Sequence, residues 1–453
     1  MPPFDFVKDL DTGNTAWVLV SAALVLLMTP GLAFFYGGMV RVKNVLGMLM
    51  QNYVAIGIVS VLWVLVAYSL AFGKSGFGGF AGDLHQFGLG HMGEQVAGYQ
   101  GPLAQTIPPL VFVAFQLMFA VITPALITGA TADRLKFGAY CVFIAVWLVL
   151  VYAPIAHWVF SPEGWLFQRG AEDFAGGTVV HANAGAAGLA VALVLGKRLG
   201  WKKDPMRPHN LPFTLLGAGL LWFGWFGFNA GSALGANNLA GYAFVNTNTA
   251  TAAAMLGWIV VEKLRDGKCT TLGAASGAVA GLVAITPAAG FVSPVGSIFL
   301  GFIAGALCSL AVLLKYKLGY DDALDVVGVH LVGGVAGALL IGFFGSKATG
   351  IGINGLFYGG GTHLLGLQAE AVGAAVGYSF VATLVIAKVI DLVMGLRITP
   401  DQEREGMDLV LHGETAYEMG GTGGGTFVGA HGMPGAVSLG SHPAAPTTTG
   451  AKA

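Results

Sequence analysis

Eleven apolar runs, each close to the roughly 20 residues that cross a hydrocarbon core as helix, constrain this chain more than any other feature. They cover about 15–38, 45–72, 105–130, 137–160, 177–196, 211–232, 245–262, 271–289, 294–315, 323–344 and 369–395. The expected fold is an all-α polytopic membrane protein with eleven transmembrane helices. Only 10% of residues are charged and mean hydropathy is +0.73, whereas soluble domains carry roughly 25% charge. Glycine supplies 71 of 453 residues, about twice its usual share, which lets helices approach through small faces.

Lysine and arginine set the orientation. Alternate loops hold Arg41 and Lys43; Arg134 and Lys136; Lys197, Arg198, Lys202, Lys203 and Arg207; Lys263, Arg265 and Lys268; Lys315 and Lys317, which is 14 of the 22 basic residues. The opposite side holds Lys8, Lys74, Arg169 and Lys347. The positive-inside rule then predicts an outside N-terminus and a cytoplasmic C-terminus.

Two stretches share one spaced pattern: Asp173, His181, Gly185, Gly188 and Asp322, His330, Gly334, Gly337, each matched pair offset by 149 positions. Five spans separate them, and an odd number inverts the second copy. That is an inverted repeat, about 15–196 and 211–344, with 369–395 as an extra helix. Each His lies eight residues past its Asp, about 12 Å along a helix, so imidazoles entering from opposite faces are expected to meet near mid-membrane. An ionisable residue in an apolar span is a transport-site candidate by default.

Other function classes fit poorly. A net charge of -1 leaves no large basic surface for nucleic acid. Cys141, Cys269 and Cys308 are scattered, with no Cys-x-x-Cys spacing and no disulfide framework. Asp5, Lys8, Asp9 and Asp11 precede the first run, unlike a cleaved secretory signal, so the first helix is expected to be retained. Residues 73–104 form a Gly-rich outer loop whose His85 and His91 read as solvated histidines, with a metal site as the competing reading; 345–368 form a second such loop. Residues 1–397 are expected to be the transmembrane domain, 398–419 an ordered cytoplasmic segment and 420–453 a disordered tail poor in large apolar side chains.

Neutral imidazoles still donate and accept, so a facing pair suits a small solute that does both; the bland reading has each His bonding a neighbouring helix. Asp173 is well placed as an N-cap of the fifth span and as a source of negative potential at an entrance. Asp322 and Asp325 read as caps of the tenth. Phe115 and Phe119 share one face of the third span, where packing is the ordinary role, yet ring faces also hold cations at about 0.5–2 kcal/mol each and plug pores. Trp222, Trp225, Phe226 and Phe228 crowd the sixth span ahead of Asn229 and Ser232.

The segment Asp173-Phe174-Ala175-Gly176-Gly177-Thr178-Val179-Val180-His181 resembles the signature of the ammonium transporter family (Amt/Mep/Rh), specifically its bacterial Amt branch. Thr29 to Gly38, Gly224 to Ser232 and Asp321 to His330 match as well, and the resemblance extends over about 15–419. It implies a homotrimer in a bacterial inner or plasma membrane with one path per protomer. His181 and His330 become the paired pore histidines, Phe119 and Phe228 the ring gate, and Ser232 part of an outer recruitment site with Phe119; Asp173 matches the family's vestibule carboxylate. One departure is Phe160, which stands where many members have a recruitment Trp; Phe160 and Trp158, two residues earlier, are both expected to join the recruitment site, with Trp158 standing in part for the missing indole. Glu403 to Asp408 and His412 to Tyr417 resemble the family's tail, which implies regulation by a PII-type nitrogen-sensing partner at the cytoplasmic face.

The expected function is an ammonium transporter, with methylammonium as analogue. Ammonium is recruited by ring faces, Ser232 and Asp173, loses its proton at the phenylalanine gate, and passes as ammonia along the histidines. A full charge in apolar surroundings is too costly. No cofactor and no metal are expected. An ammonium sensor acting through the tail is the rival, and an intramembrane metalloenzyme using the histidines and an Asp is disfavoured because no close metal-ligand set accompanies them.

Overall fold

The structure is a computed structural model that describes residues 1–417; the segment expected to be disordered, 420–453, lies outside them. In order the spans are α1 (Thr12–Met39), α2 (Val42–Phe72), α3 (Pro109–Thr131), α4 (Phe137–Gln168), α5 (Gly177–Leu195), α6 (Leu211–Gly231), α7 (Asn238–Asp266), α9 (Pro294–Leu318), α10 (Val327–Phe344) and α11 (His363–Met394), with the shorter apolar α8 (Thr271–Ile285) between α7 and α9. Thus ten described helices are long and apolar enough to cross a membrane by themselves. Two short helices follow, α12 (Pro400–Glu405) and α13 (Met407–His412). Met1–Ala416 forms one compact unit.

Local chemistry fixes where the helices begin. Asp11, Asn210, Asn237, Thr270 and Ser293 each accept a backbone N–H in the first turn that follows, at 2.8–3.1 Å. Each such cap contributes about 1 kcal/mol. Pro109, Pro212 and Pro294 occupy first-turn positions, where no N–H is needed. Several boundaries differ from the sequence expectation, among them the start of α7 at Asn238 rather than near 245 and the end of α4 at Gln168 rather than near 160, and three have a visible cause. α10 starts at Val327 rather than near 323, because Asp322 takes the N–H groups of Val326 and Val327 and Asp325 turns left-handed at φ 64°. α11 starts six residues early, at His363, where Gln368 bonds the main chain of Glu172 and Ala338. α8 stops at Ile285, ahead of Pro287, whose carbonyl accepts the N–H of Phe174.

The two halves pack by the same scheme. Gly31 of α1 lies against Leu220 of α6, and Gly217 of α6 against Phe35 of α1, so the first helices of the halves run in close contact. α5 starts among residues bonded to Pro287 and ends where Arg397 and Arg134 bond Leu195 and Gly196. α10 starts beside that same Arg134, through Asp321, and ends beside a bridge between Gly345 and Val292. The two helices therefore run in opposite directions. Their contact is reciprocal: a Cβ on Gly185 would lie 2.4 Å from the nitrogen of Leu331, and one on Gly334 would lie 2.9 Å from the nitrogen of Ala182. Each glycine stands four residues past its own histidine and touches the residue just after the other's. Only a residue without a Cβ permits that approach.

Candidate functional site: the histidine pair and its aromatic surround

Both histidines stand on widened turns. Gly177–Ala182 and Val327–Leu331 are π-helical segments at the heads of α5 and α10, a geometry that often marks functional positions. The turns bring the rings together with Nδ1 to Nδ1 at 3.3 Å, centroids 5.4 Å apart and planes 23° from parallel. His181 is 1% exposed and His330 3%. At this separation one ring donates and the other accepts, since two opposed N–H groups would repel. The second nitrogen of His181, Nε2, has no hydrogen-bond partner among the described residues.

An aromatic wall encloses that nitrogen's ring. Trp225 stacks on His181 at 5.2 Å and 19°, and Phe228 lies 6.0 Å away. Trp225 is held by its own N–H, which donates to Thr286 Oγ1 at 2.8 Å, and Thr286 in turn donates to Leu282. Phe228 meets Phe119 at 4.2 Å. Phe160 stands edge-on to Phe119, at 6.4 Å and 90°. On the other side of the pair, a pocket lined by Tyr36, Val279, Asp325 and Val329 reaches His330. The histidines thus lie between the ring stack and this pocket.

Ser232 follows Phe228 by one helical turn and donates its hydroxyl to the Phe228 carbonyl at 2.8 Å. With its proton so used, the oxygen can still accept. Asp173 caps α5 with both oxygens: Oδ1 accepts from Gly176 and Gly177, Oδ2 from Thr178 and Val179, at 2.7–3.1 Å. Burial pushes this carboxyl up to about 6 while the four N–H donors oppose the rise, and it is ionised at neutral pH. The Phe160 ring reaches that cap, its Cζ 3.4 Å from where a Cβ on Gly176 would be.

Trp158 is placed elsewhere. Its indole N–H donates to the Phe80 carbonyl at 2.8 Å, and its ring packs on Phe80, Trp165 and Tyr378. It is only 7% exposed. Of the residues the sequence singles out, His181, His330, Phe119, Phe228 and Phe160 form one continuous group, with Ser232 and Asp173 at its margin. Sequence reasoning noted Trp225 only as part of an aromatic crowd. Nothing in the pattern signals its stacking on His181, because the partner that orients it, Thr286, comes 61 residues later at the end of another helix.

Comparison with known proteins agrees with this architecture. Residues 16–417 match the family described as the Ammonium Transporter Family. The ammonium transporter of Mycobacterium tuberculosis (strain ATCC 25618 / H37Rv) is 54% identical over 92% of this chain and 93% of its own length. That of Bacillus subtilis (strain 168) is 50% identical over 90% of this chain and 99% of its own. The solved structure of Saccharomyces cerevisiae Mep2 superposes with a TM-score of 0.81 at 36% identity, covering 88% of this chain and 92% of that one. A structure named Sensor Amt Protein gives 0.80 at 32% identity, covering 88% and 98%. With its family matched over nearly the whole sequence and its relatives half identical along nine-tenths of it, this chain belongs to the Ammonium Transporter Family and is an integral membrane transporter of ammonium rather than an enzyme.

Proposed function

We propose that ammonium enters at the Ser232 end, surrenders its proton at the Phe119–Phe228 stack, and crosses as ammonia along the His181–His330 pair. The observation that carries this reading is the buried imidazole contact of 3.3 Å with one nitrogen, His181 Nε2, unpartnered inside an apolar enclosure. A buried polar edge left open is costly unless it serves a solute. Ammonia both donates and accepts, so it matches that edge; a bare cation of similar size such as potassium offers no donor and loses its hydration at the ring stack.

Recruitment falls to Phe119, Phe160 and the Ser232 oxygen, supported by the negative Asp173. Trp158 backs the site through the loop it bonds and contributes no ring face to it. A phenyl face binds a cation less strongly than an indole, so recruitment here is weaker than in members with Trp at that position. The same reading puts the N-terminus outside, the basic loops and α12–α13 in the cytoplasm, all eleven helices across the bilayer, three such chains in one trimer, and a PII-type regulator at the tail. A sensor role draws support from the close bonding of the tail to the helices, described in the Discussion, and is separated from transport by flux.

The test is ammonium-evoked current and methylammonium uptake in proteoliposomes. The His181→Ala/His330→Ala protein is expected to lose at least about tenfold in ammonium flux or to gain a potassium current, since about 1.4 kcal/mol of lost stabilisation in the path corresponds to that factor. Unchanged flux with potassium still rejected, in a protein that elutes and unfolds like the parent, overturns the histidine route.

A further inference from the structure

The loop joining α2 to α3 turns back on itself at a point the transport path does not use. Leu89 and His91 adopt left-handed backbone, φ 55° and 60°, next to Gly88 at 64°. The reversal lays the His91 ring on that of His85, centroids 4.1 Å apart and planes 19° from parallel. Glu94 completes the group. Its Oε2 lies 3.1 Å from His85 Nε2 and its Oε1 3.5 Å from His91 Nδ1, and one donor atom from each of the three residues lies within 4.8 Å of the others. Among the described residues this is the one trio of potential metal ligands so arranged.

The distances suit a particular class of ion. Zinc bound to nitrogen and oxygen at 2.0–2.1 Å in a tetrahedron separates its ligands by about 3.3 Å, and the two nitrogen–oxygen separations, 3.1 and 3.5 Å, fall on either side of that value. Two imidazoles and one carboxylate select a borderline divalent cation over magnesium or calcium, which need shells of oxygen. The side chains are 38%, 55% and 24% exposed, so an ion has access and the stacked rings have room to splay about it. The Met1 ammonium also lies 3.4 Å from Glu94 Oε2, so an ion here competes with that contact and with the His85–Glu94 hydrogen bond. The sequence shows the two histidines but not the third ligand, which the backbone reversal delivers.

The group is also well connected. Glu94 bridges Pro3, Phe4 donates to the Gly93 carbonyl, and Gln95 donates to that of Pro2, so the ligand carboxylate is tied to the N-terminal segment. The same loop supplies the Phe80 carbonyl that holds Trp158 and the Tyr99 hydroxyl that donates to the Phe160 carbonyl at 3.2 Å. We propose that His85, His91 and Glu94 bind one borderline divalent transition cation, Zn²⁺ by preference, which pins the 85–94 reversal of the 73–104 loop.

The experiment titrates tag-free, full-length protein in detergent with Co²⁺ as a spectroscopic stand-in and with Zn²⁺ as competitor. One equivalent is expected to bind per chain with the intense visible bands of a four-coordinate site, to be displaced by Zn²⁺ and to persist in excess Mg²⁺. His85→Gln and Glu94→Gln should each weaken binding at least about tenfold, in line with loss of one ligand, while thermal unfolding of the metal-free variants stays with the parent. No bound ion, displacement by Mg²⁺, or unchanged binding in the His85→Gln/His91→Gln protein overturns the site. Because metal binding is read directly, failure here leaves the transport proposal untouched, and failure of transport leaves this site standing.

Discussion

Glu172 is a buried carboxyl outside the proposed route, although it precedes Asp173 directly. Its Oε1 accepts the N–H of Ile353 at 3.1 Å, its main chain is clasped on both sides by Gln368, and its Oε2 has no partner among the described residues. Burial pushes it up to about 8. A carboxyl raised in the folded state holds a proton that the unfolded chain has already released between its ordinary value of about 4.3 and that point, so stability falls as pH rises through this window. Glu172→Gln keeps the acceptor and removes the titration. Its unfolding temperature is expected to decline less steeply than the parent's from about pH 6 to about pH 9, the remaining slope at the acid end coming from Asp173; parallel curves would refute the assignment. At this scale the sequence was legible where chemistry repeats, as in His181 and His330 at one interval, and illegible where a distant main-chain atom decides. Trp158 looked like a spare recruitment ring, but the carbonyl of Phe80, 78 residues earlier, turned it away.

The elements at the α12–α13 end are joined by a charged network. Arg198, 8% exposed, donates to Asp321 through its main chain and its guanidinium at 2.8–3.0 Å and pairs with Asp133, which also takes Arg41 and Asn44. Burial alone would raise the Asp321 carboxyl, but the bonded Arg198 overrides it and holds the group below its ordinary value. Glu403 of α12 accepts from Leu199 and Arg397, each at 2.7 Å, while Asp408 and Met407 of α13 bond Gly47 and Asn44. Two substitutions should differ in order. Asp321→Ala removes the carboxylate that takes two guanidinium bonds of the buried Arg198, leaving it Asp133 at 3.4 Å, and is expected to destabilise by about 3–5 kcal/mol. Glu403→Ala returns Arg397 to solvent and should cost only about 1.5–3 kcal/mol, but it should expose α12 and α13 to limited proteolysis while the spans stay intact. Thermal unfolding and a protease time course check both; equal losses, or an uncut tail in Glu403→Ala, contradict this account. Positive loops marked this end in the sequence. Which acid each arginine meets was unreadable, because the partners come from four separate loops.

Across the molecule, the reciprocal approach of α5 and α10 is the feature on which the pair depends. Gly185→Ala and Gly334→Ala each insert a Cβ against main-chain atoms, and each is expected to cost about 1–3 kcal/mol. Because both push the histidine helices apart, both should also reduce methylammonium uptake, and by similar factors. Uptake matching the parent in either, with thermal unfolding confirming the strain, would show that the imidazole contact tolerates separation. The opposed course of α5 and α10 was legible in the sequence from the 149-residue offset and the odd number of intervening spans. The lengths of α8, α10 and α11 were not, since hydropathy reports what lipid tolerates and not where Asp322, Pro287 or Gln368 redirects the backbone.

The contact between Nδ1 atoms crosses the seam between the two halves of the polypeptide. A half-length chain would own one imidazole and one glycine notch, and could complete the pair only by meeting a second copy upside down in the same bilayer. Joining the halves through the 197–210 connection makes that meeting unimolecular, so formation of the imidazole contact no longer depends on how much protein the membrane holds.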